Sequence, residues 1–238
     1  MRTKAIIFDK DGTLMDFDSF WVTLTRVVIE EVRRNMRVVD VSEEEILAAL
    51  GVEHGVTNIN GVLCYGTYAQ IGSIVCNVLE NSGYKTNIDE VTKLMIESYH
   101  RNYEKGIIKP TCHNLCKVLS RLKSEGIKLA VVTTDDSFGV QRCLQVLGIE
   151  EYFDAVYSDD GKLPAKPEPH SIYDFLAKEG LAKSEVIMVG DTLTDTVFAK
   201  NAEIKVIGVA KSDANKQILA EHADAVIPDI SYIFEVLE

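Results

Sequence analysis

From Pro110 onward, apolar runs of strand length alternate with amphipathic helical stretches, and this alternation constrains the fold more than any other feature. A helix over Asn114 to Ser124 leads through Gly126 into a strand over Lys128 to Val132, and a helix over Ser137 to Leu147 stops at Gly148. The series continues with strand Ala155 to Ser158, helix Ser171 to Lys178, strand Val186 to Val189 and helix Thr194 to Asn201. Strand Lys205 to Val209 and a helix around Asn215 to His222 complete it. Strands separated by helices pair in parallel, so the predicted class is α/β, a doubly wound parallel sheet covered on both faces. One further apolar strand, ending at Phe8, stands alone at the N-terminus.

Between that first strand and the alternating series lie about ninety residues of different character. Phe17 to Met36 has apolar residues on one helical side, Phe20, Leu24, Val27 and Val28 among them. Ser42 followed by three glutamates opens a short helix running to Leu50. Gly51 to Gly66 is rich in glycine and asparagine and reads as a loop. Two more helices follow, Thr67 to Glu80 and Ile88 to Tyr103, around the turn Asn81-Ser82-Gly83. The expected organisation is an α/β core from residues 1–15 and 109–238, with an all-helical insert at 16–108.

Carboxylates close two of the strands. Ile6-Ile7-Phe8 runs into Asp9-Lys10-Asp11-Gly12-Thr13, and Val186-Ile187-Met188-Val189 runs into Gly190-Asp191-Thr192-Leu193-Thr194-Asp195. Strand side chains alternate, so a spacing of two points Asp9 and Asp11 the same way and Lys10 away from them. Like charges this close are costly unless a cation or a shared proton relieves them. The carboxyl ends of strands are also where open α/β sheets hold their ligands. A third strand closes with Thr133-Thr134, and Lys166-Pro167-Glu168-Pro169 presents a lysine at the start of a helix.

In order and spacing these four segments resemble the motifs of the haloacid dehalogenase-like (HAD) phosphohydrolases, and the helical insert resembles the cap of the phosphoglycolate phosphatase-like branch. The resemblance implies the strand order third, second, first, fourth, fifth. It implies that Asp9 is the nucleophile, forming an aspartyl-phosphate, and that Asp11 is the general acid and base. Thr133 and the Thr134 amide would hold phosphoryl oxygens, Gly12 would let the backbone turn toward the phosphate, and Lys166 would balance the charge. Mg²⁺ is the implied cofactor, on Asp9, the main-chain carbonyl of Asp11 and Asp191, with Asp195 holding a metal-bound water. The insert would act as a lid, with Phe17, Trp21, Tyr65 and Tyr68 as candidates either to line the specificity pocket or to pack in the lid's own core.

Asp11 narrows the reaction, because dehalogenases and phosphonate hydrolases of this resemblance lack it. The expected function is Mg²⁺-dependent hydrolysis of a small phosphate monoester, phosphoglycolate-like or a sugar phosphate. A phosphomutase and a non-catalytic phosphate-binding module are the alternatives, and nucleotides and pyrophosphate also stay open as substrates. The net charge of −12 disfavours nucleic acid as a partner. No apolar run approaches bilayer-spanning length, no signal-peptide pattern precedes the first strand, and five cysteines lack regular spacing. A cytoplasmic monomer or homodimer acting on a small phosphorylated metabolite, away from membranes, is therefore expected. Cys112 and Cys116 are expected to pack on the apolar stripe of a helix rather than bind metal.

Overall fold

The computed structural model describes residues 3–237, and the chain divides into two compact units, Met1–Asp16 with Ile108–Glu238 and Phe17–Ile107. In the first, strand β1 (Ala5–Phe8) is buried along its whole length. Its side chains divide by parity. Ile6 and Phe8 join one core with Leu129, Val131, Ile187 and Val189, whereas Ala5 and Ile7 join the other with Ala130, Val132, Val186 and Met188. A strand apolar on both faces is what a parallel sheet sandwiched between helices requires. Each of the larger side chains here, from valine to phenylalanine, contributes about 1.5–3 kcal/mol by leaving water.

The second unit is helical. A π-helical turn (Asp18–Val22) runs into α1 (Thr23–Asn35), followed by α2 (Glu43–Ala49), whose N-cap Ser42 accepts the Glu45 amide at 3.1 Å. The stretch read as loop contains a minimal ribbon, β2 (Val52–Glu53) with β3 (Val56–Thr57), and a single helical turn α3 (Val62–Tyr65). Helices α4 (Tyr68–Asn81) and α5 (Ile88–Asn102) complete it, the former opened by a Thr67/Gln70 capping box. Glu31 of α1 accepts hydrogen bonds from Ser98, Arg101 and Asn102 of α5, and Thr25 shares one with Tyr99 at 2.8 Å.

The α/β unit then continues with α6 (Leu115–Ser124), β4 (Lys128–Val132), α7 (Ser137–Leu147), β5 (Ala155–Tyr157), α8 (His170–Glu179) and β6 (Val186–Gly190). It closes with α9 (Leu193–Ala202), β7 (Lys205–Val209), α10 (Asp213–Ala220) and β8 (Ala225–Ile227). The sheet order is β5-β4-β1-β6-β7-β8, all parallel, with β1 inside as expected. Strand β8 was not foreseen, because three residues without alternation leave little periodic signal.

The cysteine expectation needs correction. Cys112 is buried but precedes α6, which starts only at Leu115, while Cys116 sits exposed on that helix. The two do not share an apolar stripe. No helix of the described residues is long and apolar enough to cross a membrane.

Candidate active site

Strand β1 ends at Phe8 and gives way to a tight turn rather than more strand. The amides of Leu14 and Met15 both donate to the carbonyl of Lys10, at 2.9 Å each. Gly12 supplies the positive φ of 78° that the turn needs, and a Cβ there would lie 1.9 Å from Asp191 Oδ2. Only glycine allows this approach. The Asp9 amide is tied to the Val189 carbonyl of β6 at 2.8 Å, so the first carboxylate is set beside the end of the neighbouring strand.

Asp195 arrives by a different route. It is the third residue of α9, where one carboxylate oxygen, Oδ2, accepts from the amide and hydroxyl of Thr192 at 3.1 and 2.8 Å. The strand end leaves room for it, since a Cβ on Gly190 would sit 2.3 Å from its carboxyl carbon. Its other oxygen, Oδ1, accepts from Lys166 Nζ at 2.8 Å, and the same ammonium is hydrogen-bonded to Asp9 Oδ1. Helix-cap chemistry thus orients a carboxylate that in turn orients a lysine.

Ligand oxygens of Asp9, Asp191 and Asp195 lie within 4.8 Å of one another. Burial, the largest effect, drives the Asp9 carboxyl up to about 7, with Asp195 and Asp11 adding to the rise and Lys166 opposing it. Asp191 is likewise pushed well above the usual carboxylate range by burial and by repulsion from Asp9, Asp195 and Asp11. For Lys166 burial opposes the charge, yet Asp195 and Asp9 outweigh it and raise its value. A crowded set of hard oxygen donors that hold protons when alone suits a hard divalent cation, so these residues fit the implied metal. The Asp11 side chain is outside this group; the resemblance asked only for its main-chain carbonyl.

Thr133 is buried beyond the end of β4, its amide bonded to the Tyr157 carbonyl at 3.0 Å and its Oγ1 accepting the Asp135 amide at 3.1 Å. Thr134, next to it, is exposed. A cavity of about 340 Å³ is lined by both Thr133 and Lys166, together with Tyr157, Ser158, Asp174 and Lys178. The structure therefore brings the segments of β4 and α8 to one opening.

Lys10 overturns the alternation argument. It is fully buried, not a surface side chain turned from the carboxylates, and its Nζ lies 2.8 and 2.7 Å from the two Asp11 oxygens and 3.0 Å from Asp135 Oδ2. Two-residue periodicity fails because extended geometry stops at Phe8 and the turn swings Lys10 and Asp11 together. Asp135 was missed for want of any motif signal. Thr13 was passed over as well; its Oγ1 reaches Asp191 Oδ1 at 3.3 Å.

The four insert aromatics fare unequally. Phe17 and Trp21 adjoin at 6.4 Å between ring centroids, Trp21 and Tyr99 at 6.3 Å, and Tyr68 and Tyr99 at 5.3 Å, which makes one aromatic cluster of three of them. Tyr65 has no ring partner in this cluster and is 58% exposed.

Comparison with known proteins gives these features a setting. A family model for haloacid dehalogenase-like hydrolases matches residues 3–203. A pyrophosphatase, PpaX, of Bacillus velezensis is 30% identical over 227 residues, covering 93% of this chain and 89% of the relative. A phosphoglycolate phosphatase of Pasteurella multocida is 32% identical over 126 residues, 52% of this chain and 56% of that one. Among solved structures, a Bacillus subtilis protein described as the HAD-hydrolase YfnB, bound to magnesium, superposes with a TM-score of 0.72 at 15% identity over the whole of both chains.

Proposed function

The chain belongs to the haloacid dehalogenase-like hydrolases, and from that premise we propose that it is a magnesium-dependent phosphatase of small organic phosphates working through a phosphorylated Asp9. The observation that carries the reading is the cluster of Asp9, Asp191 and Asp195 carboxylates within 4.8 Å, with Lys166 bound to the first and third. Magnesium, held by Asp9 and Asp191 with the Asp11 carbonyl, would supply positive charge against the phosphoryl oxygens.

The remaining chemistry falls to the chain. An Asp9 oxygen attacks phosphorus, the ester P–O bond breaks, and Asp11 gives its proton to the departing alkoxide. A water then attacks the same phosphorus and passes a proton to Asp11, and the bond to Asp9 breaks to release inorganic phosphate. Lys166 and the Thr133 hydroxyl hold charge on the phosphoryl group through both steps. The helical unit is the proposed lid, with Phe17, Trp21, Tyr65 and Tyr68 as selecting residues.

A second substrate reading, pyrophosphate, is favoured by the relative of Bacillus velezensis, whose match spans most of both chains. One panel tests both: phosphoglycolate, sugar phosphates, nucleotides and pyrophosphate, each with magnesium and with chelator. Magnesium-dependent release of phosphate from at least one member supports the phosphatase, and the best kcat/KM names the substrate class. Tight phosphate binding with no release from any member would instead favour a binding module.

A further inference from the structure

Lys10 is a fully buried titratable group that the proposed chemistry leaves unused. Its side chain is 0% exposed, so it does not reach substrate, whereas that of Asp11 keeps 17% of its surface. The ammonium holds Asp11 at both oxygens, at 2.8 and 2.7 Å, and rests on Asp135 Oδ2 at 3.0 Å. Asp135 is itself tightly placed. Its amide donates to Thr133 Oγ1 at 3.1 Å, its Oδ1 accepts the Asp136 amide at 2.9 Å, and a Cβ on Gly139 would lie 2.2 Å from its Oδ2.

Such a cluster is poorly explained by stability alone. A buried ion pair gains little over an apolar pair of the same volume, because desolvation offsets the attraction. What it does supply is orientation. A carboxyl gripped at both oxygens has lost its torsional freedom, and a proton-transfer group gains from that when reacting atoms must align.

We propose that Lys10, braced by Asp135, is a positioning residue that fixes the Asp11 carboxyl in the orientation from which it exchanges protons. The inference rests on the reading of Asp11 as the acid and base of the reaction. It also links the loop after β4, which carries Thr133, to the turn after β1, through Asp135 and Lys10.

The test uses p-nitrophenyl phosphate, whose leaving group departs without a proton. With this substrate the transfer to Asp9 does not need Asp11, but hydrolysis of the phosphorylated Asp9 does. Lys10→Met should therefore lower kcat by roughly 10- to 100-fold. It should lower KM in parallel, leave kcat/KM near wild type, and release a burst of about one p-nitrophenolate per enzyme. With an alkyl phosphate, kcat/KM should fall as well. Lys10→Met with Asp135→Asn removes both buried partners and guards against a folding failure of the single variant; it should show the same split. Asp11→Asn separates the two ideas. Lack of a burst in Asp11→Asn, with kcat/KM for p-nitrophenyl phosphate lost, sinks the reading of Asp11 itself. A burst in Asp11→Asn, with wild-type kinetics or a loss confined to kcat/KM in the folded double variant, overturns the role of Lys10 alone.

Discussion

Two lysines in the α/β unit are each lodged between two aspartates, and they differ in what surrounds them. Lys166 joins Asp9 to Asp195 beside Asp191, so its carboxylates belong to a larger acidic cluster. Lys10 joins Asp11 to Asp135 outside that cluster, wholly buried. In the first group negative charge exceeds what one lysine offsets, and Asp9 and Asp191 hold their protons well above the ordinary range. In the second, Asp11 and Asp135 outweigh the burial that works against the lysine's charge, and Lys10 is held more firmly protonated than usual. The contrast teaches a division of labour: an acidic excess leaves a site open to a cation, whereas a lysine that grips one carboxylate at both oxygens fixes a geometry.

The largest expected effect breaks the first group at its centre. Asp9→Asn should cut kcat by roughly 10⁴-fold or more while the thermal unfolding midpoint stays near or above wild type. Activity close to wild type in steady-state assays would remove Asp9 as nucleophile. Next, Gly12→Ala forces a Cβ to within 1.9 Å of Asp191 Oδ2 at a φ of 78°, so magnesium affinity by calorimetry and turnover should both collapse. Unchanged magnesium binding there would separate Asp191 from the cation.

Lys166→Met sharpens the comparison through stability. It strands two buried carboxylates, and denaturant unfolding without metal should show a loss of about 3–5 kcal/mol. The acidic excess also has a pH signature. Asp9 titrates near 3.8 when unfolded and about 7 when folded, so across that window the folded chain binds more protons. Stability of the metal-free protein must therefore fall as pH rises through it, with Asp191 acting in the same sense. Magnesium requires the ionised carboxylates, so its shift of the melting temperature should be greater at about pH 8 than at about pH 5, on either side of the folded Asp9 value of about 7. An equal shift at both would mean that these carboxylates do not bind it. The smallest effect is at the exposed Tyr65, where alanine should change stability by less than about 0.5 kcal/mol. If Tyr65 selects substrate, ratios of kcat/KM across the panel will still move.

Much of the fold could be read from sequence because apolar runs at strand length are hard to mistake. Lys128–Val132 and Lys205–Val209 form strands with the expected bounds, and β1 occupies its inner place in the order. Asp9 and Asp191 were legible for a similar reason, each lying just beyond a strand end, whereas Asp195 was legible from helical spacing, in the first turn of α9. Lys10 was not, because its direction depends on a turn closed by hydrogen bonds from Leu14 and Met15 rather than on strand parity. Asp135 was beyond reach since its partner lies in a segment distant in sequence. In the helical unit, periodicity located α1, α4 and α5, yet it could not tell that Phe17, Trp21 and Tyr68 join one cluster through neighbours while Tyr65 stands exposed.

The covalent step can be seen directly. Enzyme caught during turnover by acid quench, reduced with borohydride and mapped by peptide mass spectrometry reports which carboxylate carried phosphate, since an acyl phosphate is converted to the alcohol. Homoserine at position 9, with Asp11 and Asp191 intact, is the predicted result. Phosphate release with Asp9 unmodified throughout, or homoserine at another aspartate, would contradict it.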